Sequence, residues 1–263
     1  MRFKRGLAGV LATTLLAVAG ASWAQSTPVT LRYEGWAYGG SGTQATVNFN
    51  ADPGTGAPSS FAARGGGFHI TLDDAQPFSV YSVELFQGFS FGTDYFSYTR
   101  RFDEQNYKWS PATPGLNGWD PARAAAIGER IGQLWAYAGE TYGIKGVPGA
   151  NTAENQLNST ALQWAMWNVV YDTDNSVTSG NFRISSDGTN QLILGRANSF
   201  LADSLSYGFR YGIDVLTSSG LQDQVITNGV ATPVPEPGSY ALMLAGLTAV
   251  GFVARRRRTL QEG

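Results

Sequence analysis

The chain contains no cysteine and a single histidine, His69, in 263 residues. Without cysteine there is no disulfide framework, thiolate nucleophile, thiolate metal site or thioester. One histidine cannot build a His-rich zinc site. His69 sits in Gly65-Gly66-Gly67-Phe68-His69-Ile70-Thr71-Leu72, which reads as a strand, so we take it as a strand residue rather than a catalytic base. Charge is sparse as well: Asp, Glu, Lys and Arg make up 14% of the residues, with a formal net charge of −2. No basic footprint for nucleic acid is present. We expect no metal, no cofactor and no catalytic residues. No internal repeat is visible.

What charge there is lies unevenly. The termini hold Arg2, Lys4, Arg5 and Arg255 to Arg258, which leaves 11 of the 18 basic residues between them, against 19 of the 20 acidic ones once Glu262 is set aside. The middle of the chain is therefore near −8. Arg2, Lys4 and Arg5 precede an apolar stretch from Leu7 to Ala21, then Ser22-Trp23-Ala24. This is the pattern of a secretory signal peptide over residues 1–24, with signal peptidase cutting before Gln25. The ectodomain then spans 25–232, long enough to bury a core as one domain.

The other end is built in three parts. Val234-Pro235-Glu236-Pro237 comes first, then a 17-residue apolar run from Gly238 to Ala254, then Arg255-Arg256-Arg257-Arg258. As a helix the run would be about 25 Å long, slightly short of the roughly 30 Å hydrocarbon core. The arginines hold its end on the cytoplasmic side, so residues 238–254 are expected to span and 259–263 to stay inside. Pro235 and Pro237 fix their own φ and hold Glu236 in an extended segment, accessible to a processing enzyme.

This arrangement over 233–258 resembles the PEP-CTERM sorting signal of Gram-negative bacteria that make exopolysaccharide. The resemblance implies that an inner-membrane exosortase recognises the Pro-Glu-Pro, processes the chain and passes it outward. The expected course is an inner membrane-anchored intermediate, then the outer surface or the extracellular matrix, with exopolysaccharide as a partner there.

Within the ectodomain, Val29–Tyr38 and Thr43–Phe49 alternate around Gly39-Gly40-Ser41-Gly42, which predicts a hairpin. Asn50–Gly67 is rich in Gly, Pro, Ala and Ser and reads as a long loop. Phe68–Leu72 and Phe78–Phe86 read as strands joined by a turn at 73–77. The aromatics crowded between Phe78 and Phe102 suit a core with cross-strand pairs better than a sugar platform. Asn106–Asp120 reads as a loop, and its Trp109 and Trp119 are candidate ligand aromatics. Asp120-Pro121 starts a helix through Tyr142, with Ile127, Ile131, Leu134, Trp135 and Ala138 on one face. Asn158-Ser159-Thr160 offers caps to a second helix over 161–171, apolar on nearly every side and so central. The same three residues match a glycosylation sequon, but capping is preferred. Asp172-Thr173-Asp174-Asn175-Ser176 has carboxylates at alternate positions but lacks the glycine and closing Glu of an EF-hand, and reads as a solvated loop. A strand over 180–185, a helix over 191–205 and strands over 211–216 and 224–226 follow. From Asn228 we expect a linker.

Val80-Tyr81-Ser82-Val83-Glu84-Leu85-Phe86 and Ala161-Leu162-Gln163-Trp164-Ala165-Met166-Trp167, with Leu134-Trp135 between them, resemble bacterial thioester domains of surface adhesins. In that family a strand Cys is joined to a helix Gln. Here Ser82 stands at the Cys position and Gln163 at the Gln. A serine hydroxyl needs an activating base, so the resemblance implies the fold without the reactive bond. A buried Ser82–Gln163 hydrogen bond is the expected contact, preferred over a Ser82–Gln163 ester.

The expected class is α+β: a β-barrel or β-sandwich ectodomain with a packed helical subdomain of about three helices, plus one C-terminal transmembrane helix. The expected role is that of a surface protein, structural or adhesive and not an enzyme. A sugar- or protein-binding module is the alternative. A hydrolase using carboxylates such as Glu84, Glu104 or Asp172 is the remoter one.

Overall fold

The structure, a computed structural model, describes residues 26–51, 56–75, 77–88, 94–102, 121–172, 174–185, 187–233, 247–248 and 250. Among these, six strands close into a barrel in the order β1 (Ser26–Trp36), β4 (Phe68–Leu72), β5 (Pro77–Ser82), β9 (Gln224–Pro233), β8 (Phe209–Thr217) and β6 (Phe96–Arg101). A separate three-stranded sheet runs β3 (Ser59–Gly65), β2 (Thr43–Phe49), β7 (Phe182–Ile184). The helices are α1 (Pro121–Tyr142), α2 (Ala153–Tyr171) and α3 (Gln191–Asp203). The α+β class and the helical part stand.

Strand alternation sorts side chains into two cores. Val29, Leu31, Tyr33, Ile70, Val80 and Tyr98 fill the barrel interior. There the Tyr33 and Tyr98 hydroxyls lie 3.1 Å apart and Tyr98 donates to the Gln222 carbonyl at 3.0 Å. Burial pushes the Tyr98 phenol up to about 12. The second core lies outside the barrel wall, where Tyr81, Val215 and Val225 meet Trp135, Trp164 and Phe200 of the helices. Strand β5 is therefore buried on both faces from Ser79 to Ser82, which an alternating pattern does not announce.

Helix α1 presents the expected face, with Ile131, Leu134, Trp135 and Ala138 fully buried. It lies close on β8 because Gly132 and Gly139 carry no side chain. A Cβ at either would stand 2.4 Å from the Tyr211 carbonyl oxygen or hydroxyl, respectively. Gly143, at φ +74°, ends the helix, and its N–H donates to the Gly139 carbonyl at 3.1 Å.

Several expectations are corrected. The β1–β2 hairpin does not form: β1 pairs with β4 and β6, whereas β2 pairs with β3 and β7. Gly39, Gly40 and Gly42 all take positive φ and turn the chain from one sheet into the other. The long loop at 50–67 contains β3, whose small residues gave little alternation of their own. The strand expected over 78–86 ends at Ser82, and β6 forms within the aromatic stretch. Of those aromatics Tyr81 and Tyr98 are buried, while Phe86, Tyr95 and Phe102 are exposed. Helix α2 starts eight residues earlier than 161, capped by Thr152, whose hydroxyl accepts from the Asn155 N–H at 3.1 Å. Asn158, Ser159 and Thr160 are thus buried helix-interior residues, not caps.

The expected linker from Asn228 is strand instead: β9 continues to Pro233, paired with Phe209. No helix among the described residues is long and apolar enough to cross a membrane. The expected leader (1–24) and most of the expected span (238–254) lie outside the described residues. Of the span, Leu247, Thr248 and Val250 are described, and they are helical.

Candidate functional site

Residues 159, 163, 167 and 171 recur at four-residue spacing and so share one face of α2. They are Ser159, Gln163, Trp167 and Tyr171, all buried. Three of them hold β5 and the chain just beyond it. Ser159 Oγ accepts from the Gly67 N–H at 2.9 Å and pairs with the Tyr81 hydroxyl at 3.0 Å. Tyr171 Oη accepts from the Leu85 N–H at 3.1 Å. Between them, the Ser82 N–H donates to Gln163 Oε1 at 2.9 Å and Gln163 Nε2 donates to the Ser82 carbonyl at 2.7 Å.

The structure therefore brings Ser82 and Gln163 together, but through the serine backbone. The carboxamide does for Ser82 what a neighbouring strand residue would do. The hydroxyl is engaged elsewhere: Ser82 Oγ donates to the Glu84 carbonyl at 2.7 Å and accepts from the Glu84 N–H at 3.2 Å. These partners are backbone groups of Glu84, neither of which can take its proton. His69 lies in β4 opposite Ser79; burial lowers the affinity of its imidazole for a proton, with Glu34 nearby acting the other way.

Glu84 is 2% exposed, and its Oε1 accepts from the Phe86 N–H at 3.2 Å. Burial raises its carboxyl above the usual range. Asp172 Oδ2 accepts from the Phe182 N–H at 2.8 Å, and Asp174 accepts from Asn168, Ser176 and Ser179. These carboxylates fasten the loop that leaves α2. Among the described residues, no group of three or more His, Asp or Glu side chains is placed to hold a metal ion. Glu104, Trp109 and Trp119 lie outside the described residues, as do Val234, Pro235, Glu236, Pro237 and the arginines 255–258.

Sequence reasoning missed a groove of about 420 Å³ beside this face. It is lined by Ala62, Ala63 and Arg64 of β3, by Leu85, Phe86 and Gln87 beyond β5, and by Trp167. The Trp167 indole N–H and the Gln87 side-chain oxygen are buried there without a hydrogen-bond partner. The four-residue spacing of Trp167 with Gln163 was a signal in the sequence. That β3 exists, and where it lies, was not.

The family model for the PEP-CTERM protein-sorting motif matches residues 233–258. The match begins on Pro233, the last residue of β9. No curated protein and no solved structure matches the chain. The chain carries a PEP-CTERM sorting motif, which marks it for exosortase and implies export through a membrane-anchored intermediate.

Proposed function

We propose that this chain is a structural or adhesive protein of the outer surface or exopolysaccharide matrix, delivered by exosortase processing of its tail and without catalytic activity of its own. The observation that carries the reading is the sorting motif at 233–258, which starts where the barrel's last strand ends. A barrel completed at Pro233 can lose everything beyond it and remain whole. The likeness to thioester domains belongs to the same proposal in a non-reactive form. Support comes from Ser82 Oγ, which is bound to the Glu84 backbone instead of facing the Gln163 carboxamide.

Intact mass of the protein from the surface of its native host tests the reading. The expected species lacks the leader and everything beyond the Pro-Glu-Pro region. Substituting Pro235→Ala with Pro237→Ala should leave the full tail in place and the protein in the inner membrane. Recovery of the full-length tail on wild-type surface protein would overturn delivery by processing.

The second reading, a binding module, is favoured by one observation: the groove beside β3 with its two unpartnered polar atoms.

A further inference from the structure

Strand β3 is the outer strand of its sheet, with β2 on one side. The direction of its backbone groups follows from its neighbours. The Ser185 N–H donates to the Thr46 carbonyl at 2.9 Å and the Asn50 N–H to the Asn181 carbonyl at 3.0 Å. Thr46 therefore points its backbone groups toward β7, and the residues on either side of it, Ala45 and Val47, point theirs toward β3. Their partners are Ala63 and Phe61. Alternation in an antiparallel ladder then turns the N–H and C=O of Ser60, Ala62 and Arg64 away from β2. Among the described residues no strand pairs with that edge.

This free edge borders the groove, since Ala62, Ala63 and Arg64 line it. The remaining lining mixes the apolar Phe68, Leu85 and Phe86 with polar groups, of which the Gln222 amide already donates to the Glu84 carbonyl. Phe86 is 38% exposed and its ring lies 5.6 Å from that of Phe61. Trp167, 1% exposed, has an indole donor without an acceptor, and Gln87 Oε1 is an acceptor without a donor. Buried polar groups left this way are costly and rare. The volume of about 420 Å³ falls in the range of ligand sites.

We propose that this groove is a peptide-binding site, in which an extended, uncharged segment of a partner protein adds as a strand to the free edge of β3. One class of ligand supplies what each lining element lacks. An extended peptide offers N–H and C=O groups along one edge to Ala62 and Arg64. It offers side chains to the groove at every second residue. Groups on its other edge suit a lone indole donor and a lone amide acceptor. A saccharide could meet the indole and the amide, but it has no row of groups at strand spacing. A second copy of β3 fits badly, because its Phe61 and Ala63 side chains are already packed against its own core. The groove site stands independently of sorting by the tail.

The test uses the full-length chain in detergent micelles. The probes are acetylated, amidated heptapeptides with Thr at odd positions and Ala, Val, Leu or Phe at even ones. Binding is followed by fluorescence polarisation, and amide exchange is read residue by residue by NMR. At least one peptide is expected to bind and to slow exchange at Ala62 and Arg64, leaving Phe61 and Ala63 as they were. Ala62→Pro removes an outward N–H that serves no internal ladder bond, at an edge where proline is tolerated, and should weaken binding at least tenfold. Trp167→Phe keeps an aromatic ring but loses the indole N–H and part of the buried volume, and should weaken it several-fold. The site is overturned if no peptide of the set binds, if binding leaves Ala62 and Arg64 unprotected, or if both variants bind as wild type. It is equally overturned if the same amides become protected by self-association without peptide, or if a neutral cello-oligosaccharide displaces the peptide.

Discussion

Gln163 pairs with Ser82 by two hydrogen bonds at once, accepting from its N–H at 2.9 Å and donating to its carbonyl at 2.7 Å. Both residues are almost wholly buried, at 0% and 1% exposure. A helix side chain thus completes the last residue of a strand, and the contact ties the helical core to the barrel wall.

Replacing Gln163 by Ala should leave both backbone groups of Ser82 without these partners. At about 1–3 kcal/mol for each buried unsatisfied group, a loss of about 3 kcal/mol is expected, or roughly 6–12 °C in Tm for a domain of this size. Ser82→Ala removes only the bonds to the Glu84 backbone and should cost about 1 kcal/mol. Thermal melts of the two variants check the order. Equal losses would mean the paired carboxamide has no special weight.

Glu84 predicts a pH effect with a definite sign. Its folded carboxyl is raised by burial above the unfolded value. The folded state therefore holds the proton more tightly, and stability falls as pH climbs from the ordinary carboxylate range through the raised value. Glu84→Gln keeps an oxygen for the Phe86 N–H and removes the charge. The variant should match wild type at pH 4 and exceed it at pH 7. A difference in stability that does not change between those two pH values would remove burial as the cause.

Two glycines in helices should respond in opposite directions to the same change. A Cβ at Gly132 would meet the Tyr211 carbonyl oxygen at 2.4 Å, whereas one at Gly195 meets nothing within 4 Å. Gly132→Ala should destabilise by about 1–3 kcal/mol through overpacking against backbone. Gly195→Ala, inside α3, should stabilise by about 0.5–1 kcal/mol. Urea titration of both variants reads the contrast, and a stabilising Gly132→Ala would show that α1 can shift away from β8.

The position of β9 predicts where the chain can be cut. It pairs with β8 from Gln224 to Pro233 and with β5 at Val225 and Gln224. A chain ending at Pro233 should keep its cooperative melt. One ending at Asp223 opens the barrel between β5 and β8 and should lose it. Circular dichroism melts distinguish the two, and a folded product from the shorter chain would show that β9 is dispensable.

Much of this molecule was legible locally. Helix α1 could be read because Ile127, Ile131, Leu134 and Trp135 mark one face and Asp120-Pro121 marks the start. The turn after β4 could be read from Asp73-Asp74, whose φ angles of 48° and 55° suit such residues. The start of α2 was misread because the polar residues Asn158 and Ser159 looked like caps. Only the neighbours make them interior: Arg196 donates to Asn158 Oδ1 at 2.7 Å, and Ser159 serves Gly67 and Tyr81.

The sequence by itself determined the sorting address, the α+β class and the absence of any cysteine chemistry. Each depends on residue types and on order along the chain. Only the tertiary structure decided which strand pairs with which. Pairing between β5 and β9, or β1 and β6, joins segments far apart in sequence, and its energy lies in contacts that local pattern does not contain. For the same reason only the fold could show that Ser82 meets Gln163 through its backbone. It also placed β3 beside Trp167 with one edge that no strand among the described residues pairs, because a strand's edge is defined by which neighbours it has.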